Sequence, residues 1–581
     1  MAHRAVREVA LPRFVRIRAF ARASGGNVAI ITAFAAFPLL MAIAVALDTA
    51  EIHRARENLQ QAADAAVLTA ARAVMSGAGR DEAEMASRRV FEANMANLPT
   101  SRATLEVEAT REACRRGEMV ARATMRHPLH FGAITGIVLA GARDGGELSV
   151  VSNANCGNGT VEIALVLDNS GSMKGEKLDA LKKATKKLVR DLFEAAEVSS
   201  RETPVAIALV PFASMVNVGA HNANAAWMDR QGDVAIHHEN FDWAHAGVKR
   251  QNRRWMAGDT PLTRFVVYDQ LGIAWKGCVE KRRHPLHLTD APGDAPLDRF
   301  VPAFAPDEPD DWTSEYERAE RDGPRGRRID EWAYRNSYLR DDRSYPHYRQ
   351  SRNHHHPDLT GAPFGQIYRQ FWVTKYFYDA PVDASRPGPN DFCEAQPLMP
   401  LVNRRRKAIQ AIEAMRAGGA TDVQAGVSWG WKALSPQAPL EEGRPYGTAD
   451  NRKIMIVMTD GENTYYPNGR PTRSHYGAFG QAWQGRIFAG TSGSKQHTAA
   501  GYREAMDEHL VATCANAKAA DITLYTIAFD VPKASTARTV MRACASREGG
   551  DVLAFDAEDN EALVDVFEAI GRSIRRLRLT R

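Results

Sequence analysis

Cysteine is scarce in this sequence: six residues among 581, at 114, 156, 278, 393, 514 and 544, with no Cys-x-x-Cys pair. That spacing excludes the common zinc modules, while an even count suits disulfides in an oxidising compartment. Joining neighbours along the chain pairs Cys114 with Cys156, Cys278 with Cys393 and Cys514 with Cys544; buried free thiols are the alternative. Excess charge is lacking too. The net charge is +5, and residues 1–24, with six arginines against Glu8, carry all of it. The remainder is neutral, which excludes a nucleic-acid-binding body, whose basic patch lies on the fold itself. Catalytic signatures are missing as well: there is no G-x-S-x-G elbow, phosphate loop or H-E-x-x-H.

What is present is globular, with 44% hydrophobic and 25% charged residues, and too long for one core. One apolar run reaches membrane length. Val28 to Leu47 is uncharged, with Thr32 and Pro38 as interruptions. A helix of about 20 residues rises about 30 Å, the thickness of a bilayer core. Residues 1–24 therefore read as a cytoplasmic basic tail and 25–47 as a transmembrane helix, oriented by the positive-inside rule. Ala44-Val45-Ala46 resembles a signal-peptide cleavage site, the rival reading, but a signal's apolar region typically spans only about 7–15 residues.

Residues 48–155 read as a helix followed by a small β-rich region. From Asp48 to Val74 the residues Ile52, Ala55, Leu59, Ala62, Ala66, Ala70 and Val74 recur every three or four positions, and Gly77 and Gly79 end the helix. Short alternating runs between Leu105 and Val151 suggest a small sheet, giving an α+β, pilin-like outline.

From 156 to 581 strands and helices alternate, as in an α/β domain with a mostly parallel sheet. Val161–Asp168, Val205–Pro211, Lys453–Met458, Ile522–Phe529 and Val552–Phe555 read as strands. Helices are expected at Gly175–Phe193, Val402–Arg416, Val423–Leu434, Tyr502–Ala519, Ala537–Ser546 and Glu561–Arg575. Lys177, Lys182, Lys183, Lys186 and Lys187 read as the solvated face of the first helix. Residues 219–400 show no long periodicity yet are rich in Trp and Tyr, and read as a large insertion rather than a linker. Within it His284, His287 and His354-His355-His356 read as loop residues, with metal binding as the alternative.

Three separate segments carry chemistry. D-N-S-G-S places Asp168, Ser170 and Ser172 at the end of the first buried strand, G-G-A-T-D places Thr421 before a helix, and T-D-G-E places Asp460 at the end of another strand. Each alone is consistent with helix N-caps. Together, and in this order, they resemble the metal-ion-dependent adhesion site of the von Willebrand factor A family. That resemblance implies a doubly wound sheet with direct Mg2+ ligation, or ligation of another divalent cation, by Ser170 and Ser172. It implies that Thr421 binds directly or through water, and Asp168 and Asp460 partly through water. A cation surrounded by hydroxyls and water keeps net positive charge for a partner's carboxylate.

At the N-terminus, G-N-V-A-I-I-T-A-F from Gly26 and L-Q-Q-A-A-D-A-A-V-L-T-A-A from Leu59 resemble the TadE/TadG-like membrane segment of bacterial Flp/Tad pilus-assembly proteins. The closing I-R-R-L-R-L-T-R is similar to theirs. The combination implies a single-pass protein of the inner membrane with its main domain periplasmic. It implies a non-enzymatic role in which an envelope or pilus protein is the partner, with no small-molecule substrate identified. A metal-dependent envelope hydrolase is the alternative, and a cytoplasmic chelatase-like subunit conflicts with the anchor.

Overall fold

The computed structural model describes residues 27–75, 77–96, 103–115, 119–131, 146–154, 159–197, 199, 201–241, 243, 249–308, 336–339, 373–377, 381–468 and 472–577. The chain forms two compact units, Met1–Cys156 and Gly157–Arg581.

In the first unit the apolar run and the small-residue helix are one element, α1 (Asn27–Met75), with Pro38 inside it. Its first part is open: Ile31, Phe34, Phe37 and Leu40 are more than half exposed. It is the one helix among the described residues long and apolar enough to cross a membrane. Further along, Ala55, Leu59, Ala62, Ala66, Ala70 and Val74 are buried and Ile52 is half-buried, so the small-residue face is core. A second helix, α2 (Arg80–Met95), was not visible as a pattern. Its buried side is thin, made of Ala83, Ser87 and Phe91, and the Ser87 hydroxyl donates to the Ala66 carbonyl at 2.9 Å. An antiparallel sheet of β1 (Ala103–Val107), β2 (Met119–His127) and β3 (Gly146–Ala154) completes the unit in that order.

The second unit is built on six strands. They are β4 (Thr160–Asp168), β5 (Val205–Phe212), β6 (Met399–Val402), β7 (Asn451–Thr459), β8 (Ile522–Phe529) and β9 (Ala554–Ala557). The spatial order is β9-β8-β7-β4-β5-β6; all neighbours pair in parallel except β6, which closes one edge antiparallel to β5. β6 corrects the reading of Val402–Arg416 as wholly helical, since α4 begins only at Arg405 and ends at Glu413. The last strand lies at 554–557, two residues later than expected, after a ribbon at 547–552.

Both faces of this sheet are covered, and the period-2 geometry of a strand sorts its residues between two cores. Ile163, Leu165 and Leu167 of β4 join Ile454, Ile456 and Met458 of β7 against α3 (Glu176–Ala196), α4 and α8 (Asn560–Leu577). Ala164 and Val166 join Met455 and Val457 on the other face, with α5 (Val423–Leu434) and α6 (Ala499–Ala519). The helix α7 (Thr536–Cys544) is tied to α6 by the Cys514–Cys544 disulfide. The Cys278–Cys393 disulfide is also formed, closing 115 residues of the insertion, whereas the Cys114–Cys156 pairing lies outside the described residues.

The insertion shares the second core. Trp227, Trp243, Tyr268, Trp275, Phe300, Phe304, Tyr338 and Tyr376 are buried with the residues of α5. All twelve residues of α5 are consequently buried. Two glycines let this helix approach β4 and β5: a Cβ on Gly430 would lie 2.4 Å from Val166 Cγ2, and one on Gly426 2.5 Å from Phe212 Cδ1. Gly430→Ala is therefore expected to lower stability in urea unfolding. Overpacking costs about 1–3 kcal/mol, which outweighs the roughly 1 kcal/mol that alanine gains in a helix interior.

Candidate functional site

Asp168 is the last residue of β4, and Asp460 follows the last residue of β7 directly. These strands are neighbours at the middle of the sheet, where the chain changes direction: it runs from β4 outward through β5 to β6, then crosses back to β7 on the other side. At such a reversal the loops after adjacent strands diverge and leave a crevice at the carboxyl edge.

A continuous chain of hydrogen bonds joins four of the five candidate residues. The Ser170 amide donates to Asp168 Oδ1 at 2.7 Å, the Ser170 and Ser172 hydroxyls are 2.9 Å apart, and the Ser172 hydroxyl donates to Asp460 Oδ1 at 2.6 Å. Parallel register sets Thr459 beside Asp168, and its hydroxyl donates to Asp168 Oδ2 at 2.7 Å. Burial, and then the charge of Asp460, push the Asp168 carboxyl up to about 6. Two carboxylates thus share a dry corner lined by hydroxyls.

Thr421 reaches the same edge through its backbone. Gly418 N donates to Asn169 O at 2.8 Å, Gly171 N donates to Gly419 O at 3.0 Å, and Thr464 N donates to Thr421 O at 2.9 Å. The Thr421 loop therefore lies against both the Ser170 turn and the segment after Asp460. Gly419 is required there: its φ is +81°, and a Cβ would meet Glu394 Oε2 at 2.6 Å and Ser214 Oγ at 2.8 Å.

The donor set is oxygen only, which suits a hard cation such as Mg2+, and the close pair of carboxylates supplies the charge. The residues fit the group. Among the described residues no cluster of three or more His, Cys, Asp or Glu side chains is placed to hold a metal. His287 is buried and pairs with His509 at 3.2 Å, and burial holds its imidazole far below the ordinary range. The run His354–His356 lies outside the described residues. Among the described residues, the Ser170 and Ser172 hydroxyls bond to each other and to Asp460, with no histidine in the series.

Two further residues belong to this edge and were not singled out from sequence. Lys177, read there as solvated, turns toward the site: its ammonium lies 3.1 Å from Asp460 Oδ2 and 2.9 Å from Asp530 Oδ2. Burial works against that charge, but the Asp530 and Asp460 carboxylates outweigh it and hold the ammonium above its usual range. Lys281, from the insertion, lies 2.8 Å from Asp422 Oδ1 and 2.7 Å from Oδ2, beside Thr421.

Residues 26–73 match the model of a Flp pilus-assembly family. The N-terminal segment is TadE/G-like. No curated protein matches the chain. Among solved structures it is similar to the pilus adhesin SpaC from Lactobacillus rhamnosus GG, at 10% identity and a TM-score of 0.29 over 83% of this chain. The match spans only 35% of that adhesin's length. The vWF domain of the type V pili tip protein Mfa5 from Porphyromonas gingivalis aligns at 11% identity and a TM-score of 0.30, covering 73% of this chain and 97% of that one. The adhesive tip pilin GBS104 from Group B Streptococcus agalactiae aligns at 13% identity and 0.29, covering 71% and 100%. The TadE/G-like match ends within α1, so the site edge lies wholly outside it.

Proposed function

We propose that this is a membrane-anchored, non-enzymatic pilus-assembly or adhesion-type protein with a von Willebrand factor A domain in its second unit. In this reading residues 28–47 hold it in the inner membrane, residues 1–24 are cytoplasmic and the second unit lies outside the cytoplasm. Asp168, Ser170, Ser172, Thr421 and Asp460 hold a divalent cation, Mg2+, and the partner is an envelope or pilus protein.

The observation that carries this reading is the hydrogen-bonded series Asp168–Ser170–Ser172–Asp460 at the carboxyl ends of two central parallel strands. The TadE/G-like segment at 26–73 supports the pilus-assembly half of it. Bound there, the cation supplies an open coordination position to a carboxylate of the partner. The chain's own residues do the rest. Thr459 and the Ser170 amide orient Asp168, the two hydroxyls present their oxygens together, and the loop carrying Thr421 is locked against them. Selectivity in this reading comes from the surrounding insertion and the chain that follows β7, because a metal and a carboxylate form a generic grip.

The test uses the full chain in detergent micelles. Mg2+ binding measured by calorimetry is expected for the wild type and lost by more than a hundredfold in Asp168→Ala, with circular dichroism unchanged. Envelope proteins crosslinked to the wild type should be released by EDTA. Equal Mg2+ uptake by both proteins would remove the adhesion-site reading.

A further inference from the structure

The Asp460 side chain is fully buried, and both of its oxygens are engaged. Oδ1 accepts from the Ser172 hydroxyl at 2.6 Å, inside the candidate site, and Oδ2 meets the Lys177 ammonium at 3.1 Å. That ammonium has a second seat. Asp530, at the end of β8, lies 2.9 Å from it and is 54% exposed, and the Phe529 ring centroid is 5.6 Å away. The Lys177 side chain itself is 29% exposed, so a route toward Asp530 and water is open.

We propose that Lys177 is a tethered counter-ion of this site, neutralising Asp460 when no divalent cation is bound and opposing divalent binding when one arrives. The inference rests on the cation site proposed above. A buried carboxylate left without a partner is costly, and here a second one, Asp168, stands in the same corner. The lysine removes that cost in the cation-free protein. It does so by halving the net negative charge of the carboxylate pair, which is the charge a divalent cation would use. A lysine suits this role better than an arginine. Its charge is compact, and its flexible stem can carry it from Asp460 toward Asp530, whereas a planar guanidinium is built to stay in a two-pronged pair. The site is thereby set to a weak affinity and remains folded when empty.

Two measurements on the full chain in detergent test this: the Mg2+ dissociation constant by calorimetry, and the melting temperature in EDTA and in Mg2+. Lys177→Met is expected to tighten Mg2+ binding by about tenfold, the order expected for removing one charge a few ångströms from a cation. In EDTA it should melt below the wild type, and Mg2+ should raise its melting temperature more than it raises the wild type's. Lys177→Gln keeps an N–H donor for Asp460 while deleting the charge, so it guards against a variant that fails to fold and should show the same tightening. Lys177→Arg keeps the charge and holds Asp460 more firmly, so it should bind Mg2+ no more tightly than the wild type. Wild-type Mg2+ uptake that both neutral variants leave unchanged or weaken overturns the counter-ion role alone. No uptake by any of these proteins overturns the cation site as well.

Discussion

Lys281→Met is expected to lower the unfolding free energy of the C-terminal unit by about 3–5 kcal/mol, the range for removing one partner of a buried ion pair. Both partners are buried, Lys281 at 8% and Asp422 at 2% exposure. The ammonium sits between the two Asp422 oxygens and 4.1 Å from the Phe479 ring centroid, so methionine fills the space but leaves the carboxylate uncompensated. Asp422 is also the N-cap of α5, its Oδ1 accepting from Ala425 N at 2.9 Å, and it directly follows the candidate ligand Thr421. The loss should therefore appear twice, as lower stability and as weaker Mg2+ binding. All ten tryptophans lie in this unit, so fluorescence-monitored urea unfolding of the full chain reports on it selectively. Lys281→Met/Asp422→Asn removes both charges and keeps a capping oxygen, and should recover most of the stability. A single variant as stable as the wild type would show that Asp422 does not depend on the insertion.

The elements most legible in the sequence are those whose environment is uniform. Val423–Leu434 and Ile522–Phe529 coincide with α5 and β8 residue for residue, because each is bounded by polar turns and buried on every side. Short or half-wet elements were not legible. β6 has four residues with a single buried one, Leu401, and straddles the border between the expected insertion and the expected helix; α2 carries charge on most of its surface. In the candidate site, the acids and hydroxyls could be read because strand ends and motif order mark them. Their neighbours could not. Lys177 sits in a lysine-rich helix, and nothing in that local pattern distinguishes the side chain that crosses to Asp530 from those in solvent. Lys281 is 141 residues from Asp422, in a stretch without periodicity, so only the packed insertion brings them together.

The insertion's hold on this edge depends on a second buried charge, and Glu280→Gln is expected to be at least as damaging as Lys281→Met. Glu280, 2% exposed, accepts from Arg264, Arg486 and the Tyr476 hydroxyl. Arg486 has a second carboxylate, Glu239, at 2.8 Å. Arg264 has none in this network; its remaining bonds go to the carbonyls of Ile236 at 2.7 Å and Pro302 at 3.0 Å. Burial works against the Arg264 charge and Glu280 restores it, holding the guanidinium above its usual range. Glutamine keeps the shape and removes that support, leaving a fully buried guanidinium among neutral acceptors at a cost of about 3–5 kcal/mol. The consequence extends beyond the insertion, because Arg486 and Tyr476 belong to the loop after β7 that packs beside the site. Limited proteolysis should find this loop and residues 264–283 cut together in Glu280→Gln and resistant in the wild type. Arg264→Met/Glu280→Gln, which leaves Arg486 with Glu239, should regain most of the stability, since an ion pair replaced whole by neutral groups of similar volume costs little. A loss below about 1 kcal/mol in the single variant would mean that Arg264 is served by its carbonyl acceptors alone, and that the two halves of this edge are joined by Lys281 and Asp422 rather than by the arginine network.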